Sequence, residues 1–525
     1  MPFKGELEST IQYLAAQPVI PTSRTNFLRP DSQILTARDT DIITSRVEFG
    51  FNGRPADAIL IVSLGGIAGG GPATQTLQAA QTMEYLKGNT EYSPEIGLIS
   101  QRSELPYFAD NLTGKAPELI AEAEEKTSIP EKYQAAEKVI IEALDRMTEL
   151  GKHEIVFVSN GYTAFVPFAV KESFIKTGAD KKGIRAKVVI FDSSFPDSSN
   201  PIDIIDSGIG YPTDRFFPPA FKSTPNADMY LLLCNWMPIN VKWYRDRAPQ
   251  GAMAISTSLP FSFEYVKRWR EINQLTKEQA RNEIIGDTNI PVNFRKILAN
   301  HQTIYFPLIT SAGYWDANNV GKWMTSIQYK DMINGSRTIT HAAAQVARSA
   351  NRPVLLTGVK PFVDLAKLYA QEDVIEDIYH ITEEDKISAS LKRGVYLMEI
   401  PRFKQSTYRF VIKSADVCLF RSTQTNTMGE AVLAGVPGLV ISMPRHGYMD
   451  AARMDEEFYI RGGRVYGPED SHLKIADRLE AIASDSNESL SLAERQLSLF
   501  REVYRNSGSN FVTVMSHICG IPYWD

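Results

Sequence analysis

Apolar residues run consecutively in short segments along this chain, and each segment closes on glycine or small polar side chains. The segments lie at 58–64, 154–159, 187–191, 229–234, 303–309, 353–357, 395–399, 417–420 and 438–442. Continuous rather than alternating hydrophobicity over so few residues predicts strands buried on both faces, as in a parallel sheet. Helical spacing fills the intervals. It follows Pro72 with Leu77, Met83 and Leu86, spans 117–150 as two helices broken near Pro130, and continues over 164–175 and 280–302. It resumes near 319 with Lys322 and Trp323, then over 406–413, 428–434 and 469–505. Strands alternating with helices define an α/β fold class. The polar stretch before 303 marks a boundary, giving an N-terminal extension over 1–50, a domain over 51–300, a second over 301–490 and a C-terminal helical segment over 491–525.

The most informative stretch is SADVCLFRSTQTNTMGEAVLAGVPGLVISMP, residues 414–444. Its order is strand, loop, helix, strand, with Gly435 and Pro437 closing the helix. The loop over 421–427 is hydroxyl and amide side chains with one arginine. A helix N-terminus beyond the carboxyl end of a parallel strand presents unpaired N–H groups and a positive dipole end, which suits a phosphate or diphosphate. Glu430 falls one turn into that helix, where a carboxylate would repel phosphate; a ribose or sugar hydroxyl is the partner it suits. The plainer reading of the same residues is a capped helix whose Glu430 complements the dipole.

The strand at 58–64 runs directly into glycines at 65, 66, 69, 70 and 71. These allow close approach of backbone to a ligand, but form neither the dinucleotide fingerprint nor a P-loop. Other strands end in Ser159-Asn160-Gly161, Asp192-Ser193-Ser194 and Asn235-Trp236. Ligands of open parallel sheets bind at the carboxyl ends of strands, so these loops are expected to line one crevice.

Composition narrows the classes. The 525 residues carry a formal net charge of −6, which provides no broad basic field for nucleic acid. Three cysteines without paired spacing suggest neither a disulfide framework nor a zinc knuckle, which fits a reducing, cytoplasmic setting. No apolar run approaches a membrane span. Two stretches join aromatic and basic residues, FVPFAV followed by Lys171, Lys176, Lys181, Lys182 and Arg185, and FSFEY followed by Lys267, Arg268 and Arg270. Such runs are more often solvated helix faces than lipid-facing patches, and peripheral membrane contact stays open. Asp39-Thr40-Asp41 has the Asp-x-Asp form of a metal–diphosphate site, though no apolar strand leads into it.

The chain over about 303–485 resembles the nucleotide-sugar-binding half of GT-B glycosyltransferases, through SADVCLF, the hydroxyl-rich loop, GEAVLAGVPGLVISMP and DAARMDEEFYIRGG. The strand and glycine loop at 58–72 look like the start of that family's acceptor half. The resemblance implies two Rossmann-like domains facing across a cleft, with the C-terminal helices crossing back to the first. It implies a nucleotide sugar as co-substrate, an acceptor it does not identify, and no cofactor or metal. Ser422, Thr423, Thr425, Asn426 and Thr427 would meet the donor diphosphate, and Glu430 the ribose or sugar. Ser311, Gly313 and Lys360 would reach phosphate or base, while Arg445, His446 and Asp450 would face the sugar. Gly65, Gly66, Gly69, Gly70 and Asn160 would form the acceptor-side loops.

Two departures bear on mechanism. Eight positions before Glu430 stands Ser422, where one retaining branch has a second glutamate, and GYMDAA only partly matches the Asp-Gln ending of inverting branches. An inverting transfer needs a general base near the acceptor hydroxyl, for which Asp192 at a strand end is the candidate, with His446 as the histidine of a ligand loop. His153 precedes its strand, at the wrong end of the sheet, and His341 lies in a helical run. A nucleotide-sugar epimerase on the same fold and a non-catalytic nucleotide-sugar-binding protein are the alternatives.

Overall fold

The computed structural model describes residues 34–36, 47–64, 71–88, 91–105, 108, 117–124, 129–160, 166–192, 227–233, 253–256, 263–309, 326–388, 390–400, 403, 405–420, 426–441, 465–466, 471–505 and 511–522. Among them, residues up to 265 together with those from 502 onward form one compact unit, and 266–501 form the other.

Unit 1 is built on β1 (Ile34–Thr36), β2 (Ala58–Ser63), β3 (Glu95–Gln101), β4 (Glu118–Ala123), β5 (Glu154–Asn160), β6 (Arg185–Asp192), β7 (Ala227–Leu233) and β8 (Met253–Ser256). Their order across the sheet is β1-β8-β7-β6-β5-β2-β3-β4, and every neighbouring pair is parallel. Helices α1 (Gly71–Gly88), α2 (Ile129–Glu149) and α3 (Val166–Thr177) connect strands. Every residue of β2 and β5 is buried, as two covered faces require.

Unit 2 contains β9 (Ile304–Ile309), β10 (Pro353–Gly358), β11 (Ile378–Ile381), β12 (Gly394–Glu399), β13 (Cys418–Phe420), β14 (Gly438–Ile441) and β15 (Val465–Tyr466). They form a parallel sheet in the order β11-β12-β10-β9-β13-β14-β15. The chain passes the unit border at 265 inside α4 (Phe263–Gln274) and continues through α5 (Lys277–Gly286) and α6 (Val292–Ala299). Between the strands lie α7 (Ser326–Ser349), α8 (Lys360–Glu372), α9 (Gln405–Lys413) and α10 (Asn426–Leu433). Helices α11 (His472–Ser484) and α12 (Ser486–Arg505) follow, and α13 (Phe511–Cys519) returns to unit 1.

Two features differ from the sequence expectation. The segment 117–150 is a strand followed by one helix: β4 pairs with β3, and Pro130 stands in the first turn of α2 instead of breaking a helix. Glu- and Ala-rich residues favour a helix locally, but burial against the sheet overrides that preference. Gly97 of β3 makes the room, since a Cβ there would lie 2.3 Å from Cγ1 of Ile120. The unit border also falls at 265, not near 300, so α5 and α6 belong to the second unit. Thr276 opens α5 with a capping box that reciprocates with Gln279. From α5, Arg281 reaches the sheet, donating to the Asp416 carboxylate at 3.1 Å and the Thr303 carbonyl at 3.0 Å. A polar-looking helix is thereby fixed to unit 2 by charge.

Candidate functional site

Each sheet contains a point where chain progression reverses direction, and crevices for ligands open at the carboxyl ends of strands there. In unit 1 the reversal lies between β2 and β5, which pair through Val62 and Ser159. The glycines at 65, 66, 69 and 70 follow β2 but lie outside the described residues. Asn160 is the last residue of β5 and is buried. Asp192 ends the adjacent β6, one residue past the pairing of Asn160 with Phe191. The fold therefore brings Asn160 and Asp192 to neighbouring strand ends at the edge of this reversal point.

In unit 2 the reversal lies between β9 and β13, where Phe420 pairs with Ile309. The chain leaves these two strands side by side, towards the segments that carry Ser311 and Gly313 and that carry Ser422, Thr423 and Thr425; those five residues lie outside the described residues, as do Arg445, His446, Asp450, Asp39 and Asp41. Asn426 and Thr427 begin α10, which starts six residues beyond the end of β13. Glu430 is buried at 3% exposure, one turn inside that helix.

The far end of α10 explains the Ala-Gly-Val-Pro sequence. Gly435 has φ +70° and closes a Schellman motif, with its N–H on the Val432 carbonyl at 3.0 Å and the Val436 N–H on the Ala431 carbonyl at 2.9 Å. A Cβ on Gly435 would also lie 2.2 Å from Oδ1 of Asn273 in α4. Lys413 of α9 donates to the Ala434 carbonyl at 2.8 Å, a cation at the negative end of the helix. Burial holds the Lys413 ammonium below its ordinary pKa.

Asp416, the aspartate of SADVCLF, precedes β13, at the end of that strand away from the start of α10. Its buried carboxylate accepts from Lys277 at 2.5 Å, Arg281 at 3.1 Å and the Tyr305 backbone N–H at 2.8 Å. Its role is structural, fixing the register of β13 against β9 and docking α5. Lys360 opens α8 beyond β10, exposed, with Nζ 3.0 Å from Asp364. That hydrogen bond raises the lysine pKa, and no side chain caps the helix ahead of it. His341 hydrogen-bonds Asp373 at 2.6 Å, and His153 precedes β5 with its N–H on Asp57.

The basic run within and after α3 is largely neutralised locally. Lys176 pairs with Glu137, Lys182 with Asp145 at 3.6 Å, and Arg185 with Glu48 at 3.3 Å. Among the described residues no helix is long and apolar enough to cross a membrane. Lys413, Asn273 and Gln496, whose side-chain amide hydrogen-bonds both backbone groups of Gly438, together hold the exit of α10 and carry no sequence signal, because each lies tens of residues from the segment it touches.

No protein-family model matches the chain, and no curated protein matches it by sequence. Among solved structures it is similar to HepE of Anabaena in complex with UDP-glucose, with a TM-score of 0.50 and 9% identity over 88% of this chain and 98% of that one. It is also similar to the UDP-GlcNAc 2-epimerase of Neisseria meningitidis bound to UDP-GlcNAc (TM-score 0.46, 11% identity, 87% and 98% covered). A third similarity is to MurG of Acinetobacter baumannii (TM-score 0.38, 10% identity, 88% and 98% covered). At such identities the likeness is one of fold. The fold is GT-B-like, two Rossmann-like α/β units.

Proposed function

We propose that this chain is a glycosyltransferase that binds a nucleotide sugar at the reversal point of unit 2 and transfers the sugar to an acceptor, without a metal ion. The observation that carries the reading is α10 beginning just beyond β13, at the β9–β13 reversal, with a buried carboxylate, Glu430, one turn inside it. The first-turn N–H groups of α10 and the hydroxyls at 422, 423, 425 and 427 would stabilise the leaving diphosphate electrostatically, which is the work a metal does elsewhere. Glu430 would accept hydrogen bonds from a ribose or sugar hydroxyl. Ser311, Gly313 and Lys360 would approach the phosphates or base, and Arg445, His446 and Asp450 the sugar. In unit 1, Asp192 would act as general base with Asn160 beside it. The UDP-glucose complex of the Anabaena neighbour makes a uridine nucleotide the first donor to test.

The test is a thermal-shift and turnover screen against UDP- and other nucleotide sugars, with Glu430→Gln beside the wild type. A ligand at 100 times its Kd stabilises by about 2.7 kcal/mol. Binding lost in the variant supports the donor site; a new sugar nucleotide formed without acceptor would mean epimerisation; tight binding with no turnover and an inert Asp192→Asn would mean a binding protein. No nucleotide bound at all would overturn the reading.

A further inference from the structure

Helix α10 is eight residues long, two turns, which is too short to hold itself in place. Its direction must come from what grips its ends. The exit, residues 434–438, is gripped from three helices: Lys413 of α9 on the Ala434 carbonyl, Asn273 of α4 against Gly435, and Gln496 of α12 on Gly438. Gln496 makes the most specific of these contacts. It is fully buried, its Oε1 accepts the Gly438 N–H at 2.9 Å, and its Nε2 donates to the Gly438 carbonyl at 2.7 Å. Both backbone groups of the first residue of β14 are thus satisfied by one side-chain amide.

An apolar side chain here would leave the buried N–H and carbonyl of Gly438 without these partners, so the position calls for an amide. What the amide adds is direction: two antiparallel hydrogen bonds fix Gly438 in rotation as well as position. Pro437 and the Schellman turn at Gly435 connect that placement to α10 across residues 435–438. We propose that Gln496 is a positioning residue for the ligand site at the head of α10, acting through Gly438; this rests on the donor-site reading above. Short donors aimed at a diphosphate lose affinity when misplaced by about 1 Å.

The experiment combines amide hydrogen exchange of the ligand-free full chain with titration by UDP and UDP-glucose, in Gln496→Leu and Gln496→Met. The methionine variant keeps the length and volume of the side chain, removes both hydrogen bonds to Gly438, and guards against a leucine variant that does not fold. Exchange over 426–441 is expected to rise about tenfold in both, with wild-type rates over 353–372 and 472–484. The Kd for UDP-glucose is expected to rise about tenfold at unchanged stoichiometry. Wild-type exchange over 426–441, or acceleration spread evenly through the unit, overturns the grip. Local acceleration with unchanged affinity overturns positioning while the donor site stands. Failure of the wild type to bind either ligand sinks the donor reading itself, and the positioning role with it.

Discussion

Both units bury a charge near the amino ends of their strands, away from the proposed ligand ends, but with opposite sign and opposite partners. In unit 2 it is an anion, Asp416, held by Lys277, Arg281 and a backbone N–H. In unit 1 it is a cation: Lys187 of β6, about 1% exposed at its side chain, donates to the backbone carbonyls of Glu48 at 3.0 Å, Gly50, and Ile518 at 3.4 Å. The rings of Phe51 and Tyr230 lie 5.1 and 5.6 Å from its nitrogen. Burial lowers the Lys187 pKa, with the Glu48 carboxylate opposing that shift. The two arrangements do different jobs. Asp416 ties a helix near in space to the sheet by charge pairing, whereas Lys187 gathers two distant chain segments mainly by their carbonyls, with the part-exposed Glu48 carboxylate 3.6 Å away. Gly50 and Gly520 let those segments cross: both have positive φ, and a Cβ on either would meet the other's Cα at 2.7 Å.

Removing the charge should therefore cost most where its partner is itself a buried ion. Asp416→Ala leaves Arg281, 5% exposed at its side chain, without its counter-charge and is expected to destabilise by about 3–5 kcal/mol in urea unfolding. Lys187→Met leaves three carbonyls without their donor and removes one of two cations from the Glu48 carboxylate, which keeps Arg185 at 3.3 Å, with an expected loss of about 2–3 kcal/mol. Its selective mark would be faster exchange of α13 than of the unit 2 helices. Should the order of the two variants reverse, the distinction between counter-ion and carbonyl cage fails.

Gly435→Ala tests backbone strain without touching charge. It forces an L residue to φ +70° against Asn273, and about 1–2 kcal/mol is expected, partly restored by Asn273→Ala. An effect untouched by the second change would assign the whole cost to the backbone. pH gives a smaller, graded effect. Burial lowers the pKa of His517, whose Nε2 hydrogen-bonds the Val47 carbonyl beside Lys187, and likewise that of His472. Below 6.5 the unfolded chain then binds protons that the folded one resists, so this stability is present above 6.5 and lost as pH falls. His517→Asn should flatten the decline in unfolding midpoint between about pH 7 and 5. At the bottom of the scale, Lys360→Ala breaks only an exposed i,i+4 pair and should leave the unfolding midpoint unchanged, while weakening UDP-glucose binding if Lys360 meets phosphate.

What the sequence determined was the local alphabet. Continuous apolar runs at 58–64, 154–159, 303–309 and 353–357 announced buried parallel strands, and the Gly435–Pro437 spacing announced the end of the helix that carries Glu430. These are legible because burial on two faces and positive φ are demands on single residues or neighbours. The edge strand at Glu118–Ala123 was not, because its Glu and Ala residues prefer a helix and only pairing with β3 and the space over Gly97 make it a strand. Nor could the chain order reveal that Ile309 and Phe420 end side by side, or that Gln496 answers Gly438 from 58 residues away. Those are decisions of tertiary structure, where burial forces distant polar groups to find one another and the choice of partner depends on how the sheets are wound.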